Sequence, residues 1–180
     1  MENEYIPYIR EMFARLAPFY DISNLLIASA RKTAVELANA KTAAKVLDVA
    51  TGTGKQAFAF ARKGYDVVGV DLSRDMLKVA KKNNKHENAQ LAIADARDMP
   101  FANSLFDVAC VSFALHDVPL AAKKKVLKEM ARVAKPNGVI VVVDYASPET
   151  RTLKCMLNRF ARFYESKYYP EYAKLDLKAL

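Results

Sequence analysis

Five short runs rich in valine and isoleucine, separated by helical stretches and polar turns, constrain this chain more than any other feature. They are 45–50 (KVLDVA), 66–71 (DVVGVD), 89–94 (AQLAIA), 105–112 (LFDVACVS) and 138–145 (GVIVVVDY). β-Branched residues without polar alternation predict buried strands. Residues 54–63, 74–83 and 119–134 have helical character, and the last stretch stops at Lys135-Pro136-Asn137-Gly138. Two more helices are expected before the first strand, over 2–16 and 23–38, broken at Ala17-Pro18. Another is expected from about 148 to 166, and 176–180 also looks helical. Strands alternating with helices predict right-handed βαβ units and a parallel sheet. In such a sheet ligands bind beyond the carboxyl ends of the strands.

Length and composition exclude several classes. The 180 residues fit one domain, divided here into a helical cap (1–40), a ligand-binding core (41–145) and a helical lid segment (146–180). Two cysteines and two histidines fit neither a disulfide scaffold nor a common four-ligand zinc site, so no metal is expected. No apolar run is long enough to span a bilayer. The N-terminus MENEYIPYIREMF is acidic and amphipathic, unlike a secretory signal, so a cytoplasmic address is expected. The net charge of +8 raises nucleic acid as a partner. It is concentrated in 122–135 (six basic, one acidic) and 151–180 (seven basic, three acidic), leaving the remainder near neutral.

The strand ends carry the chemistry. The first strand runs into Asp48-Val49-Ala50-Thr51-Gly52-Thr53-Gly54, two glycines between a strand and a helix. A phosphate-binding loop does not fit, because Gln56 follows Lys55 where Ser or Thr is required. The stretch 52–57 matches G-x-G-x-x-A, the dinucleotide fingerprint, but Asp48 would face a pyrophosphate with like charge. The second strand ends in Asp71 and the third near Asp95. Asp71 is suitably placed to accept from a ribose diol, and Asp95 from an exocyclic amine. Each aspartate alone could be a cap or turn residue. Three at consecutive strand ends suit an adenosine ligand with positive charge and no phosphate, and S-adenosylmethionine is such a ligand.

The segments VLDVATGTG (46–54), GVDLSRDML (69–77), IADARDMPF (93–101), FDVACVSFALHDV (106–118) and EMARVAKPNGVIVVVDY (129–145) resemble class I S-adenosylmethionine-dependent methyltransferases in order and spacing. The subgroup most resembled contains the ubiquinone and menaquinone biosynthesis (type 11) enzymes. Phe19-Tyr20-Asp21 is similar to that subgroup's tyrosine–aspartate segment. The resemblance implies a Rossmann-like, doubly wound, mostly parallel α/β sheet in the order 3-2-1-4-5, with helices on both faces. It implies that Asp48 and the turn containing Ala50, Thr51, Gly52 and Gly54 border the methionine part of S-adenosylmethionine. Asp71 would hold the ribose, with Leu72 and Met76 beside the adenosine. Asp95 and the Ala96 backbone would read the adenine. Ser112 and Phe113 would face the methionine moiety or the transfer site, and Tyr20 could cover the cofactor. Two departures stand out. Ala50 replaces the first glycine of the usual turn, and Lys55 stands where the quinone relatives usually carry an acid. The family's C-terminal antiparallel hairpin is expected to be missing, because no two strand-like runs follow Tyr145.

Methyl transfer from a sulfonium chiefly requires alignment and exclusion of water. A base is needed only where the nucleophile must lose a proton, and His116 is the candidate. His86 lies in a polar loop, and Cys110 is expected to be a small buried hydrophobe. Lys123, Lys124, Lys125, Lys128 and Arg132 are expected to form a solvated helix face. Arg151–Tyr172, with aromatic and basic residues interleaved, is expected to be a lid or packing element. The function expected is methyl transfer to a small molecule. The alternatives are RNA or protein methylation through the basic tail, or cofactor binding without activity. A homodimer through the edge near the fifth strand is a further expectation.

Overall fold

The structure is a computed structural model, and it describes residues 5–16, 28–145 and 167–172. Helix α1 (Tyr5–Leu16) and helix α2 (Ala28–Ala38) precede β1 (Lys45–Val49). Then follow α3 (Lys55–Ala61), β2 (Asp66–Asp71), α4 (Arg74–Asn83), β3 (Ala89–Ile93) and β4 (Phe106–Ser112). A 3-10 turn (Leu115–Asp117), α5 (Leu120–Val133), β5 (Ala134–Val143) and the short α6 (Tyr169–Tyr172) complete the described elements.

The five strands form one sheet in the order β3-β2-β1-β4-β5, and every pairing between them is parallel. The expected order is therefore found. The order reverses at β1, so the crevice beyond β1 and β4 is the natural ligand position. Side-chain alternation splits the core in two. Val46, Val67, Val108 and Val141 pack under Val35 of α2 and Phe58 and Phe60 of α3. Leu47, Val49, Val70, Ala109 and Val111 pack under Val126, Met130 and Val133 of α5.

The fifth strand departs from expectation. It begins at Ala134, four residues earlier than the valine run suggests, directly after α5. Phe106 pairs with Ala134 and Val108 with Val139, so two steps along β4 are matched by five along β5. The Lys135-Pro136-Asn137-Gly138 segment is thus bulged on an edge strand. A proline without an N–H is tolerated at such a place. Gly138 fits because a Cβ there would come within 3.0 Å of the Asp107 and Lys135 carbonyls.

The expected helices over 148–166 and 176–180, the break at Ala17-Pro18 and Tyr20 fall outside the described residues. No helix among the described residues is long and apolar enough to cross a membrane.

Candidate active site

The turn after β1 is held by an unusual backbone. Ala50, Gly52 and Gly54 all adopt left-handed conformations, with φ of 54°, 55° and 83°. For alanine this costs about 1–2 kcal/mol, which explains why a glycine is usual at the position of Ala50. Gly54 is required twice over, because a Cβ there would lie 2.5 Å from the Phe58 ring. Gly52 differs: a Cβ there would meet nothing within 4 Å. Its open side is where a ligand can approach the backbone.

Asp71 ties this turn to the next. Its Oδ2 accepts the Gly52 N–H and its Oδ1 the Ser73 N–H, both at 2.8 Å. With about four acceptor sites, the carboxylate keeps further acceptor capacity. Burial pushes this carboxyl above its ordinary value, and the N–H groups of Ser73, Gly52 and Leu72 partly offset the shift. Ser73 then caps α4 by accepting the Met76 N–H.

A cavity of about 100 Å³ lies at this edge. The two turns supply Ala50, Gly52, Asp71, Leu72 and Met76, and the end of β3 supplies Asp95 and Ala96. Phe113, Leu115 and Asp117 line it from the β4 side. Phe113 is itself left-handed, with φ 51°, so strained residues follow both strands that flank the switch point. The last wall is α1, which contributes Tyr5, Ile9, Arg10 and Phe13. Pockets for small ligands span roughly 300–1,000 Å³, so the cavity in this conformation is smaller than an adenosine-sized molecule requires.

Four of the eleven residues expected at the cofactor do not line this cavity: Asp48, Thr51, Gly54 and Ser112. Alternation along β1 puts Val49 on the cavity side and Asp48 on the α2–α3 side. Asp48 is fully buried there. The Thr51 hydroxyl donates to its Oδ2 at 2.6 Å, while Oδ1 has no well-formed hydrogen bond among the described residues. Burial, only partly offset by the Thr51 hydroxyl, raises the Asp48 carboxyl to about 7.

Asp95 lines the cavity, but Arg97 grips it. The guanidinium donates to both carboxylate oxygens, at 2.6–3.2 Å, and the Arg97 N–H adds a bond of 2.9 Å. Partial burial opposes the charge, yet the Arg97 side chain and N–H outweigh it and hold the carboxyl below its ordinary value. The Arg97 guanidinium also sits 5.0 Å over the Tyr5 ring, which links the β3 end to α1.

His116 is 3% exposed and lies behind the cavity wall. Its Nδ1 is 2.6 Å from Asp144 Oδ1, and its Nε2 is 3.3 Å from Asp117 Oδ2. The rings of Tyr145, Tyr169 and Tyr172 surround it. Asp117, which sequence reasoning passed over, is the member of this cluster that lines the cavity. His86 stacks tilted on Phe58 on the far side of the sheet, and Cys110 is a buried free thiol.

The expected solvated basic face is corrected by two residues. Lys123 is fully buried; its Nζ donates to the Val118 carbonyl at 2.6 Å and lies 5.3 Å from the Tyr172 ring centre. Burial lowers its ammonium below the ordinary lysine value. Arg132 donates to the Met99 and Phe101 carbonyls and pairs with Glu129. Lys123 is three residues before Val126 and seven before Met130, so helical spacing already placed it on the buried stripe.

Comparison with known proteins agrees with this architecture. Residues 47–142, more than half of the chain, match the family described as "Methyltransferase domain". A demethylmenaquinone methyltransferase of Paenarthrobacter aurescens is 36% identical over 145 residues, covering 78% of this chain and 56% of that protein. A ubiquinone/menaquinone biosynthesis C-methyltransferase (UbiE) of Geobacter sp. strain M21 is 31% identical over 187 residues, covering 91% and 79%. A solved structure titled a putative methyltransferase of Bacillus halodurans superposes with a TM-score of 0.65 at 29% identity, covering 81% and 67%. The chain spans 56–61% of the length of the first three curated relatives. From its family match and its parallel 3-2-1-4-5 sheet, the chain belongs to the class I methyltransferase-domain family.

Proposed function

We propose that the protein transfers a methyl group from S-adenosylmethionine to a small-molecule acceptor. The observation that carries this reading is the Asp71 carboxylate, fixed between the Gly52 and Ser73 amides at the mouth of the switch-point cavity. The residues present fit the cofactor. Asp71 keeps acceptor capacity for a diol, Leu72 and Met76 offer apolar surface, and the open side of Gly52 admits a close approach. Asp71, Asp95 and Asp117 outnumber Arg10 and Arg97 along the cavity, which suits a ligand with ammonium and sulfonium charges.

The cofactor, when bound, supplies an activated methyl on sulfur with a neutral thioether as leaving group. The protein's part is alignment and exclusion of water. Phe113 and Leu115 on one side, and Tyr5, Ile9 and Phe13 of α1 on the other, form the apolar walls that shut water out. Ala96 and Asp95 would border the adenine side, and Arg97 would have to loosen its grip for Asp95 to accept from the base. The names of the relatives make a hydroquinone ring the first acceptor class to try. His116, enclosed behind Asp117, acts by positioning the wall rather than by touching the acceptor.

Calorimetry with S-adenosylmethionine and S-adenosylhomocysteine tests the reading. Saturable binding that Asp71→Ala weakens by at least about tenfold, equivalent to ~1.4 kcal/mol, is expected. Binding that Asp71→Ala leaves unchanged would sink the proposed site. A transfer screen with hydroquinone, phenol and amine acceptors then separates an enzyme from a cofactor-binding protein without activity.

A further inference from the structure

The fold assembles a basic site that the linear charge distribution conceals. Residues 122–135 and 151–180 carry more than the whole net charge of the chain. The cations of this site all come from outside those two segments. They line a groove of about 440 Å³ between α2, α3 and the turn that follows α4, on the opposite face of the sheet from α5. Arg31 and Lys32 come from α2, Lys55 from α3, Arg62 and Lys63 from the turn after it, and Lys85 from the turn after α4. Among the described residues, no carboxylate lines the groove.

Six cations in one concavity repel one another and raise the local potential. For four of the six, the described residues offset this little. Lys32 approaches Glu36 only at 3.7 Å, with both side chains exposed, a contact of small worth. Arg62, Lys63 and Lys85 form no ion pair with any described residue. The groove floor is apolar, formed by Val35 and Phe58, and the His86 ring lies 5.7 Å from that of Phe58. The volume falls in the range of small-ligand sites. Phe58 is only 5% exposed, so its face is not open to bases, and the half-buried His86 ring alone does not make a platform for successive bases among the described residues.

We propose that this groove is a second ligand site, distinct from the cavity at the strand ends, and that it binds a ligand carrying two or more phosphate charges beside an apolar portion. A lone phosphate spans fewer of Arg62, Lys63 and Lys85 than a diphosphate, which engages them from several directions. Arg31 and Arg62 supply planar forks suited to phosphate oxygens, and the lysines act as point charges. Two sources offer this chemistry: a soluble diphosphate ester, and the clustered headgroups of anionic phospholipids.

The test uses the full chain and inorganic pyrophosphate as probe, titrated calorimetrically at about 50 and about 200 mM NaCl. Saturable binding that weakens with salt is expected. The triple variant Arg62→Gln, Lys63→Gln, Lys85→Gln should weaken it by roughly tenfold or more while binding S-adenosylmethionine like the parent, which also reports that the variant is folded. Sedimentation with phosphatidylcholine vesicles, with and without phosphatidylglycerol, assigns the source. Retention on the anionic vesicles that the triple variant loses identifies headgroups, and no retention beside intact pyrophosphate binding identifies a soluble ester. Absence of pyrophosphate binding at low salt, or binding equal in the triple variant, overturns the proposal. So does single-stranded RNA bound more tightly than pyrophosphate through the same three residues.

Discussion

Asp144 holds His116 at two points: its Oδ1 lies 2.6 Å from the ring Nδ1, and its Oδ2 accepts the His116 main-chain N–H at 3.1 Å. The contact clamps the end of β5 to the 3-10 turn after β4. The same turn carries Leu115 and Asp117 into the cavity wall. Tyr172 closes the assembly by donating its hydroxyl to the Tyr145 carbonyl at 2.9 Å. Asp144 is therefore expected to set the shape of the cavity from behind it.

Asp144→Ala should cost about 3 kcal/mol of stability, because it strips a buried ring nitrogen and a buried N–H of their acceptor. Urea unfolding measures this. A loss within about 0.5 kcal/mol, the range of ordinary surface changes, would show that the clamp is not structural. Asp144→Asn, which keeps an acceptor for the N–H, should lose less than the alanine variant.

The glycine turn yields a contrast. Gly54→Ala forces a Cβ to 2.5 Å from the Phe58 ring at a φ of 83°, and it should destabilise the fold by about 2–3 kcal/mol. Gly52→Ala meets open space and should cost only the backbone strain of about 1–2 kcal/mol. It should still reduce S-adenosylmethionine affinity, because the methyl would occupy the approach to the turn. Ala50→Gly, at φ 54°, should raise stability by up to about 1 kcal/mol. Thermal unfolding and calorimetry on the three variants separate fold from ligand. Equal losses of stability at Gly52 and Gly54 would contradict the geometry.

Lys123 and its neighbours on α5 give a third test. Lys123→Ala removes a buried stem and the donor to the Val118 carbonyl, and should cost about 2–3 kcal/mol. Lys124→Ala and Lys128→Ala are exposed changes on the same helix and should stay within about 0.5 kcal/mol. Similar effects at all three positions in denaturant unfolding would restore the picture of a uniformly solvated basic face.

Much of this arrangement was legible in the residues. The valine and isoleucine runs located all five strands, and Asp71 followed from its place at a strand end after a glycine turn. Other parts were legible but misjudged. The spacing of Lys123 from Val126 and Met130 marks a buried stripe, yet its charge suggested solvent. The start of β5 was missed because Lys135-Pro136-Asn137-Gly138 is both a helix stop and an edge-strand bulge, and only the pairing with Phe106 decides between them. Two features depend on tertiary placement alone. The docking of α1 over the cavity and the basic groove each join segments whose separate sequences carry no sign of the others.

Asp48 makes the protein's stability depend on pH in a direction opposite to the usual carboxylate. Its pKa rises from 3.8 to about 7 on folding, so the native state keeps a proton that the unfolded chain releases. Its contribution is fully present below about pH 4 and is lost as the pH climbs towards 7, with a slope of up to about 1.4 kcal/mol per pH unit. Asp95, Asp107 and Glu129 shift downward, so their effects fall at lower pH, whereas burial raises Asp71 as well and adds its own loss to this window, so the difference between the parent and a variant at position 48 is what reports Asp48. Asp48→Asn keeps an acceptor for the Thr51 hydroxyl but cannot ionise. It should make the stability profile less steep between about pH 4 and 7 and be more stable relative to the parent at the upper end than at the lower. Urea midpoints for both proteins across that range decide the matter: parallel profiles would mean that the Asp48 carboxyl ionises at its ordinary value, despite being enclosed between β1 and α3.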